Sequence, residues 1–261
     1  MKLATFIAPG HTEPLAGEVR DGQVIAFGDG SSVAERLSIG GGPPANGDTW
    51  SLDRVRLLAP VPDPGAIYCI ALNYREHAEE AGMPLPERPV AFLKQQGSVI
   101  SGFGEVRKPA VTNKLDYEGE LVVVIGADGK PGGYAVGNDV SARDLQKLEF
   151  QWARAKGADT FCPWGPWVTT VDEVPNPQNL DIKTWVNDEL RQNSNTSDLV
   201  FSIDHIIRTL SETADLRPGD IILTGTPPGI GESYGKFLQP GDIVRIAIEG
   251  LGEIEHRIIE R

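Results

Sequence analysis

The sequence predicts an α+β fold in which short β-strands dominate and helices are few. Apolar, β-branched runs recur between Gly- and Pro-rich turns, as in the continuous run at residues 121–125, which is typical of a buried strand. Only two segments place apolar residues at the three- and four-residue steps of a helix. Strands in excess, with a few helices attached, favour an α+β class built from sheets.

The glycines and prolines divide the chain into two parts. Residues 3–8, 17–20 and 23–27 are strand candidates, and an Asp21-Gly22 turn separates the last two. A Gly- and Pro-rich stretch at 40–47 and three further prolines, at positions 60, 62 and 64, mark a linker. We therefore predict a small N-terminal β-rich domain over residues 1–60 and a main domain over residues 66–261.

Two helices are predicted in the main domain. The first begins at Ser141 as N-cap, with Asp144 in a capping-box-like position, and runs to about Lys156 before Gly157 stops it. Its apolar face consists of Leu145, Leu148, Trp152 and Ala155. The second helix covers about residues 203–211.

Composition excludes several classes of partner. The net charge of −13 argues against nucleic acid and against an anionic membrane surface. Two cysteines in 261 residues form no disulfide framework and fit a reducing compartment. The N-terminal apolar run is too short for a signal peptide, and no stretch reaches membrane-spanning length. We expect a cytoplasmic protein.

Three carboxylates are the most informative side chains. Glu118 and Glu120 lie two residues apart beside the buried strand, so they leave the same face, and Asp139 follows a second turn-like glycine. Like charges beside a buried strand need solvent, protonation or a cation. Oxygen ligands suit Mg²⁺ or Mn²⁺. The spacing alone supports a second interpretation equally well, in which the acids are solvated at the edge of a strand.

Three other features suggest a ligand. His77 and Glu80 are neighbours on a short predicted helix, and a carboxylate beside an imidazole makes the imidazole a better base. The simpler alternative is that the two side chains form a solvated ion pair on the surface. The proline-rich loop at 83–89 is either a lid or a connector. The glycine-rich loop at 223–231 either offers backbone N–H groups and the Thr226 hydroxyl to a carboxylate or is a structural turn. His11, His205 and His256 are isolated, and we interpret them as ordinary helix or surface histidines.

Five motifs in order resemble the fumarylacetoacetate hydrolase superfamily over about residues 66–261. They are Asn73-Tyr-x-x-His77-x-x-Glu80, Phe92-Leu-Lys94, Asp116-Tyr-Glu-Gly-Glu-Leu121, Gly133-Tyr-x-x-Gly-Asn-Asp-Val-Ser-Ala-Arg-Asp144 and Leu223-Thr-Gly-Thr-Pro-x-Gly229. The resemblance implies a fold of stacked, mixed β-sheets and usually a homodimer. It also implies a divalent metal, Mg²⁺ or Mn²⁺, held by Glu118, Glu120 and Asp139.

The same resemblance implies roles for six further residues. His77 and Glu80 would act as the catalytic base and Lys156 as a catalytic cation, while Thr226, Arg143 and Tyr134 would bind substrate. Substrates of the superfamily are small keto acids whose enolate the cation stabilises. We expect hydrolytic C–C cleavage of an acylpyruvate-like 2,4-diketo acid. Decarboxylation of oxaloacetate, isomerisation of a hydroxymuconate-type acid, and keto-acid binding without turnover remain open.

Overall fold

The structure, a computed structural model, describes residues 1–261 and contains nineteen strands and six α-helices. The strands are β1 (Lys2–Ile7), β2 (Leu15–Arg20), β3 (Gln23–Ala26), β4 (Thr49–Ser51), β5 (Arg56–Leu57), β6 (Ile67–Ala71), β7 (Val90–Lys94), β8 (Val99–Ser101), β9 (Glu105–Lys108), β10 (Leu115–Asp116), β11 (Gly119–Ile125), β12 (Pro131–Asn138), β13 (Ser141–Ala142), β14 (Cys162–Thr170), β15 (Asp181–Val186), β16 (Glu189–Asn195), β17 (Ile221–Leu223), β18 (Ile243–Ile248) and β19 (Gly252–Glu260). The helices are α1 (Val33–Ser38), α2 (Arg75–Glu80), α3 (Arg143–Leu148), α4 (Ala153–Lys156), α5 (Ile203–Ser211) and α6 (Gly231–Tyr234).

Two large mixed sheets make up the fold. The larger has twelve strands in the order β4-β3-β2-β1-β14-β12-β11-β17-β6-β7, with β5 paired to β1 and β8 paired to β14. The second has five strands in the order β16-β15-β18-β19-β9, and β10 and β13 form a small ribbon. Parallel pairs (β17 with β6, β8 with β14, β19 with β9) occur among antiparallel ones. The expected β-dominated α+β fold with mixed sheets is confirmed.

Strand β11 lies at the centre and is buried along its whole length. Its residues Leu121, Val123 and Ile125 belong to the largest core cluster, together with apolar residues of the five-stranded sheet. The alternate residues Val122 and Val124 belong to a second cluster, which packs against α1. Because successive side chains leave opposite faces, a strand buried on both faces needs an uninterrupted apolar run. The core therefore fixes the end of β11, where the acidic residues lie.

The N-terminal strands extend the large sheet. Strand β1 pairs antiparallel with β14, with Lys2 opposite Thr169 and Leu3 opposite Val168. The N-terminal ammonium donates to the Thr170 hydroxyl. The first 57 residues thus cover one edge of β14. A separate domain over residues 1–60 stays a prediction.

The helix expected over residues 141–156 is broken, which corrects that prediction. Ser141 lies in β13 opposite Asp116 and caps nothing, because its hydroxyl donates to the Asp139 carbonyl at 2.9 Å. The Asp144 carboxylate instead accepts from the Thr112 hydroxyl at 2.5 Å and the Asn113 N–H at 2.9 Å. Glu149 is extended and ends α3, so Leu148 is 78 % exposed instead of core.

Other predicted elements agree with the structure. Gly157 ends α4, and α5 occupies residues 203–211 with Ser202 as its N-cap. None of the helices has both the length and the apolar character that crossing a bilayer requires.

Candidate metal centre and active site

Three carboxylates meet at the N-terminal end of β11. Ligand oxygens of Glu118, Glu120 and Asp139 lie within 4.8 Å of one another, and all three residues are buried. Glu118 and Glu120 flank Gly119 at the start of β11, and Asp139 follows β12, which pairs with β11. The Asp139 N–H donates to the Glu118 carbonyl at 2.9 Å, which holds the two strand ends together. The three carboxylates that the sequence singles out therefore lie together, and their role as metal ligands stays a prediction.

Basic side chains surround the acids. Lys156 Nζ donates to Glu118 Oε2 at 2.6 Å and to Asp139 Oδ2 at 2.8 Å. Arg143 Nη2 donates to Glu118 Oε1 at 2.6 Å, and Lys94 Nζ contacts both Asp139 Oδ1 and the Val140 carbonyl. Lys94 and Lys156 are buried, which is rare for lysine unless it is paired.

The two glutamates differ in their electrostatic surroundings. Burial alone would raise the pKa of Glu118, but the charges of Arg143 and Lys156 outweigh it and hold that pKa well below its ordinary value. Glu120 accepts one hydrogen bond, from the Gly225 N–H at 2.6 Å. Burial, together with the charges of Asp139 and Glu118, raises the pKa of Glu120 well above its ordinary value.

A divalent cation fits this donor set. Asp116, the fourth buried acid of this cluster, pairs with Arg143 through Oδ2 at 2.8 Å, so the four carboxylates face the side chains of Arg143, Lys94 and Lys156. The group keeps one net negative charge, so a bound divalent cation would give it a net positive charge that attracts an organic acid anion. The donors are carboxylate oxygens, the ligands that Mg²⁺ and Mn²⁺ prefer. The residues are therefore suited to hold either ion.

The carboxylates open onto a pocket of about 340 Å³. Its other polar groups come from Arg143, Gln146, Lys147, Lys156, Thr226, His77 and Glu232. Its apolar wall includes Ile70, Leu72, Met83, Phe92, Trp152 and Ile230. The Phe92 and Trp152 rings meet edge to face at 5.2 Å. This size and lining suit a small organic acid with a short tail.

Helix α2 brings His77 to the pocket and ties Glu80 to the glycine-rich loop. His77 Nδ1 lies 3.5 Å from Glu80 Oε2, and the His77 side chain is 12 % exposed. Both Glu80 oxygens accept from the Gly229 N–H at 3.1 Å. The short helix therefore sits against the loop that follows β17. His77 lines the pocket, and Glu80 lies behind it, where its carboxylate is held by the loop.

The glycine-rich loop serves the protein's own carboxylates. Its Gly225 and Gly229 N–H groups bind Glu120 and Glu80, so they are not free for a ligand. The Thr226 hydroxyl donates to the Gly119 carbonyl at 2.9 Å and accepts from Gln192 Nε2 at 2.8 Å. Thr226 lines the pocket, but its proton is already engaged.

Tyr134 lies outside the pocket. It is buried in the core on β12, opposite Val123, and burial raises its pKa to about 12. Strands rise about 3.3 Å per residue, so Tyr134 lies about 13 Å along β12 from Asn138, the last residue before Asp139. The structure therefore gives Tyr134 no contact with a ligand in this pocket.

Four residues of the site were not singled out from the sequence. Lys94, which the sequence offers only as part of a motif, contacts Asp139, and Gln146 accepts from Arg143 Nη1 at 3.1 Å. Asp116 anchors Arg143 and accepts the Gly231 and Glu232 N–H groups at 2.7 and 3.0 Å. Gln192 joins Thr226 to the Gly119 N–H. Only the two-residue alternation through Asp116, Glu118 and Glu120 in the sequence, which places Asp116 on the same face as the two glutamates, points to any of them.

Comparison with known proteins identifies the family. The sequence profile described as "Fumarylacetoacetate (FAA) hydrolase C-terminal" matches residues 66–259. The chain belongs to the fumarylacetoacetate hydrolase family. Among its relatives is an oxaloacetate tautomerase, YisK, of Bacillus subtilis, which is 43 % identical over 226 residues, covering 80 % of this chain and 75 % of that protein.

Solved structures of fumarylacetoacetate hydrolase family members share the whole fold. A 2-hydroxyhepta-2,4-diene-1,7-dioate isomerase from Mycobacterium marinum is 34 % identical with a TM-score of 0.84, covering 100 % of this chain and 99 % of that one. A maleylpyruvate hydrolase from Sphingobium sp. SYK-6, in complex with manganese(II) and pyruvate, is 30 % identical with a TM-score of 0.79 and the same coverage. The family thus includes tautomerases, isomerases and hydrolases of small acids.

Proposed function

We propose that this protein is a divalent-metal-dependent enzyme that interconverts the keto and enol forms of a small 2-oxo acid such as oxaloacetate. One observation carries the proposal: three buried carboxylates and His77, which has Glu80 beside its Nδ1, open onto the same small pocket. The relative at 43 % identity, an oxaloacetate tautomerase, supports this choice of reaction. Mg²⁺ or Mn²⁺ bound by Glu118, Glu120 and Asp139 would supply Lewis-acid stabilisation of negative charge on the substrate oxygens.

The protein's own side chains account for the remaining steps. Lys156 and Arg143 place positive charge beside the carboxylates, where they neutralise and orient the anionic end of the substrate. His77 removes a proton from the carbon next to the oxo group, and the imidazolium then returns that proton to the oxo oxygen, which gives the enol and restores neutral His77. Glu80, beside His77 Nδ1, favours the protonated imidazole that this step produces.

Hydrolysis of an acylpyruvate-like diketo acid is the second candidate. His77 lies in the pocket wall with Glu80 next to Nδ1, so the pair could activate a water in place of a carbon-bound proton. The maleylpyruvate hydrolase at 30 % identity supports this alternative. Both reactions need the same electrostatic stabilisation and differ in whether a C–C bond is cut.

A product panel separates the candidates. Protein with Mn²⁺ is mixed with oxaloacetate and, separately, with acetylpyruvate, while enol absorbance is followed and products are identified by mass spectrometry. Faster enol–keto equilibration without loss of oxaloacetate supports the tautomerase. Formation of pyruvate and acetate from acetylpyruvate indicates the hydrolase, and formation of pyruvate and CO₂ from oxaloacetate indicates a decarboxylase. If neither acid changes, the protein is a binding protein or an isomerase of other substrates.

Two variants on α2 test the proton-transfer step. His77→Gln is expected to abolish most of the accelerated equilibration, whereas Glu79→Gln removes a charge from an exposed position of the same helix and should leave it unchanged. Full activity in His77→Gln would contradict the role of His77.

We further propose that the chain forms a homodimer. Strand β7 ends the large sheet, and Val90 and Leu93 on it are 48 % and 58 % exposed. An exposed apolar edge strand favours association with another chain. Light scattering coupled to size-exclusion chromatography should give twice the 28.2 kDa chain mass, and a monomer would contradict the proposal.

A further inference from the structure

His256 lies buried beneath the metal-site end of β11, where the sequence suggested only an ordinary surface or helix histidine. It is on β19 opposite Val244 and is 2 % exposed. Its Nε2 lies 2.9 Å from Nδ2 of Asn138, which has no exposed surface at all. The contact therefore joins the five-stranded sheet to the end of β12 in the large sheet.

The hydrogen-bond roles in this contact follow from the backbone. The Glu118 N–H can only donate, and it donates to Asn138 Oδ1 at 2.9 Å. Asn138 must therefore turn its Nδ2 donor toward His256. The Nε2 atom of His256 accepts that bond, so the ring must be neutral, with its proton on Nδ1.

Asn138 occupies the position that links two of the metal-site carboxylates. It pairs with Gly119, between Glu118 and Glu120, and it directly precedes Asp139. Its side chain fixes the Glu118 backbone from one side, while the Asp139 N–H fixes the Glu118 carbonyl from the other. A rotated or displaced Asn138 amide would therefore shift Glu118 and Asp139 relative to each other.

We propose that His256 is a positioning residue for the metal centre: its Nε2 holds the Asn138 amide in the orientation that fixes Glu118 and Asp139. This inference rests on the proposed metal site. No atom of His256 needs to touch the ion or the substrate, because its effect passes through Asn138. Substitution of residues that orient metal ligands typically weakens metal affinity by about 10–100-fold.

The test measures Mn²⁺ affinity by calorimetry on chelator-treated protein for two variants. His256→Gln keeps an acceptor at about the position of Nε2 and is expected to bind Mn²⁺ within about threefold of the wild type, whereas His256→Leu removes the acceptor and should weaken binding at least about tenfold. If His256→Leu does not fold, His256→Asn replaces it, because Asn is too short to reach Asn138.

A second readout and a control separate positioning from general stability. Amide hydrogen exchange at Glu118 in metal-free protein should be faster in His256→Leu than in His256→Gln. Ile258→Val lowers stability from the same strand and should leave Mn²⁺ affinity and this exchange unchanged.

The outcomes are distinct. Equal Mn²⁺ affinity in the wild type and His256→Leu, or equal weakening in His256→Leu and His256→Gln, overturns the positioning role. Failure of the wild type to bind Mn²⁺ overturns the proposed function, and the exchange at Glu118 then still decides whether His256 holds Asn138.

Discussion

The same substitution at two neighbouring glutamates should destabilise the metal-free protein at Glu118 but not at Glu120. The Glu118 carboxylate accepts from Arg143 and Lys156, each at 2.6 Å. Glu120 accepts one backbone N–H and lies near two like charges. Glu118→Gln therefore breaks buried ion pairs, whereas Glu120→Gln relieves repulsion.

The size of each effect follows from these contacts. Removing one partner of a buried ion pair lowers the free energy of unfolding by about 3–5 kcal/mol. We expect the lower end of that range for Glu118→Gln, because Gln still offers a hydrogen-bond acceptor and Arg143 remains paired with Asp116. For a chain of this size, about 3 kcal/mol lowers Tm by roughly 6–12 °C. Glu120→Gln should leave the Tm of metal-free protein unchanged or raise it.

Thermal unfolding with and without Mn²⁺ provides the assay. An ion that binds only the folded state at 100 times its Kd stabilises it by about 2.7 kcal/mol, or roughly 5–11 °C in Tm. Both variants should lose most of that increase, since each lacks one of three carboxylates. Equal losses of Tm in the two metal-free variants, or a full Mn²⁺ effect in either, would refute the reasoning.

Three further predictions concern helix α2, the glycine-rich loop with its neighbouring turn, and strand β19. His77→Gln should lower kcat by about 10²–10⁴-fold while the Mn²⁺-induced rise in Tm persists; loss of that rise would place His77 in metal binding instead. Gly229 has φ +103°, and a Cβ there would lie 2.0 Å from the Arg191 carbonyl oxygen, so Gly229→Ala should lower the free energy of unfolding in urea by at least about 3 kcal/mol. The control Gly235→Ala, with φ +65° and open space around its Cβ, should lower it by about 1 kcal/mol, and equal losses in the two variants would contradict the prediction. Burial lowers the pKa of His256 to about 4, so its contribution to stability is complete above the unfolded pKa near 6.5 and is lost as pH falls toward 4. Between pH 7 and 5 this amounts to about 2 kcal/mol, which should be missing from the pH dependence of His256→Gln and retained in that of His11→Gln, an exposed control.

Local periodicity predicted those parts of the site that depend on one strand. The alternation along β11 places Glu118 and Glu120 on one face whatever packs around them, and the apolar run that follows identifies the buried strand. Helix α5 was predicted equally well, because its cap and its apolar face lie within ten consecutive residues.

Contacts between distant segments could not be predicted in this way. Lys94 and Lys156 lie 45 and 17 residues from Asp139 in the chain, and nothing in their neighbourhoods signals that they are buried. The helix expected to begin at Ser141 fails because β13 pairs with β10 and recruits that residue. His256 and Asn138 are 118 residues apart, so their contact depends entirely on how the two sheets pack.

The binding of a divalent ion by Glu118, Glu120 and Asp139 is the central claim, and titration of Mn²⁺ into chelator-treated protein tests it most directly. We expect one ion per chain, with oxaloacetate tautomerisation absent before the titration and restored in proportion to occupancy. Undiminished turnover in the chelator-treated protein, with no heat of Mn²⁺ binding, would contradict the claim.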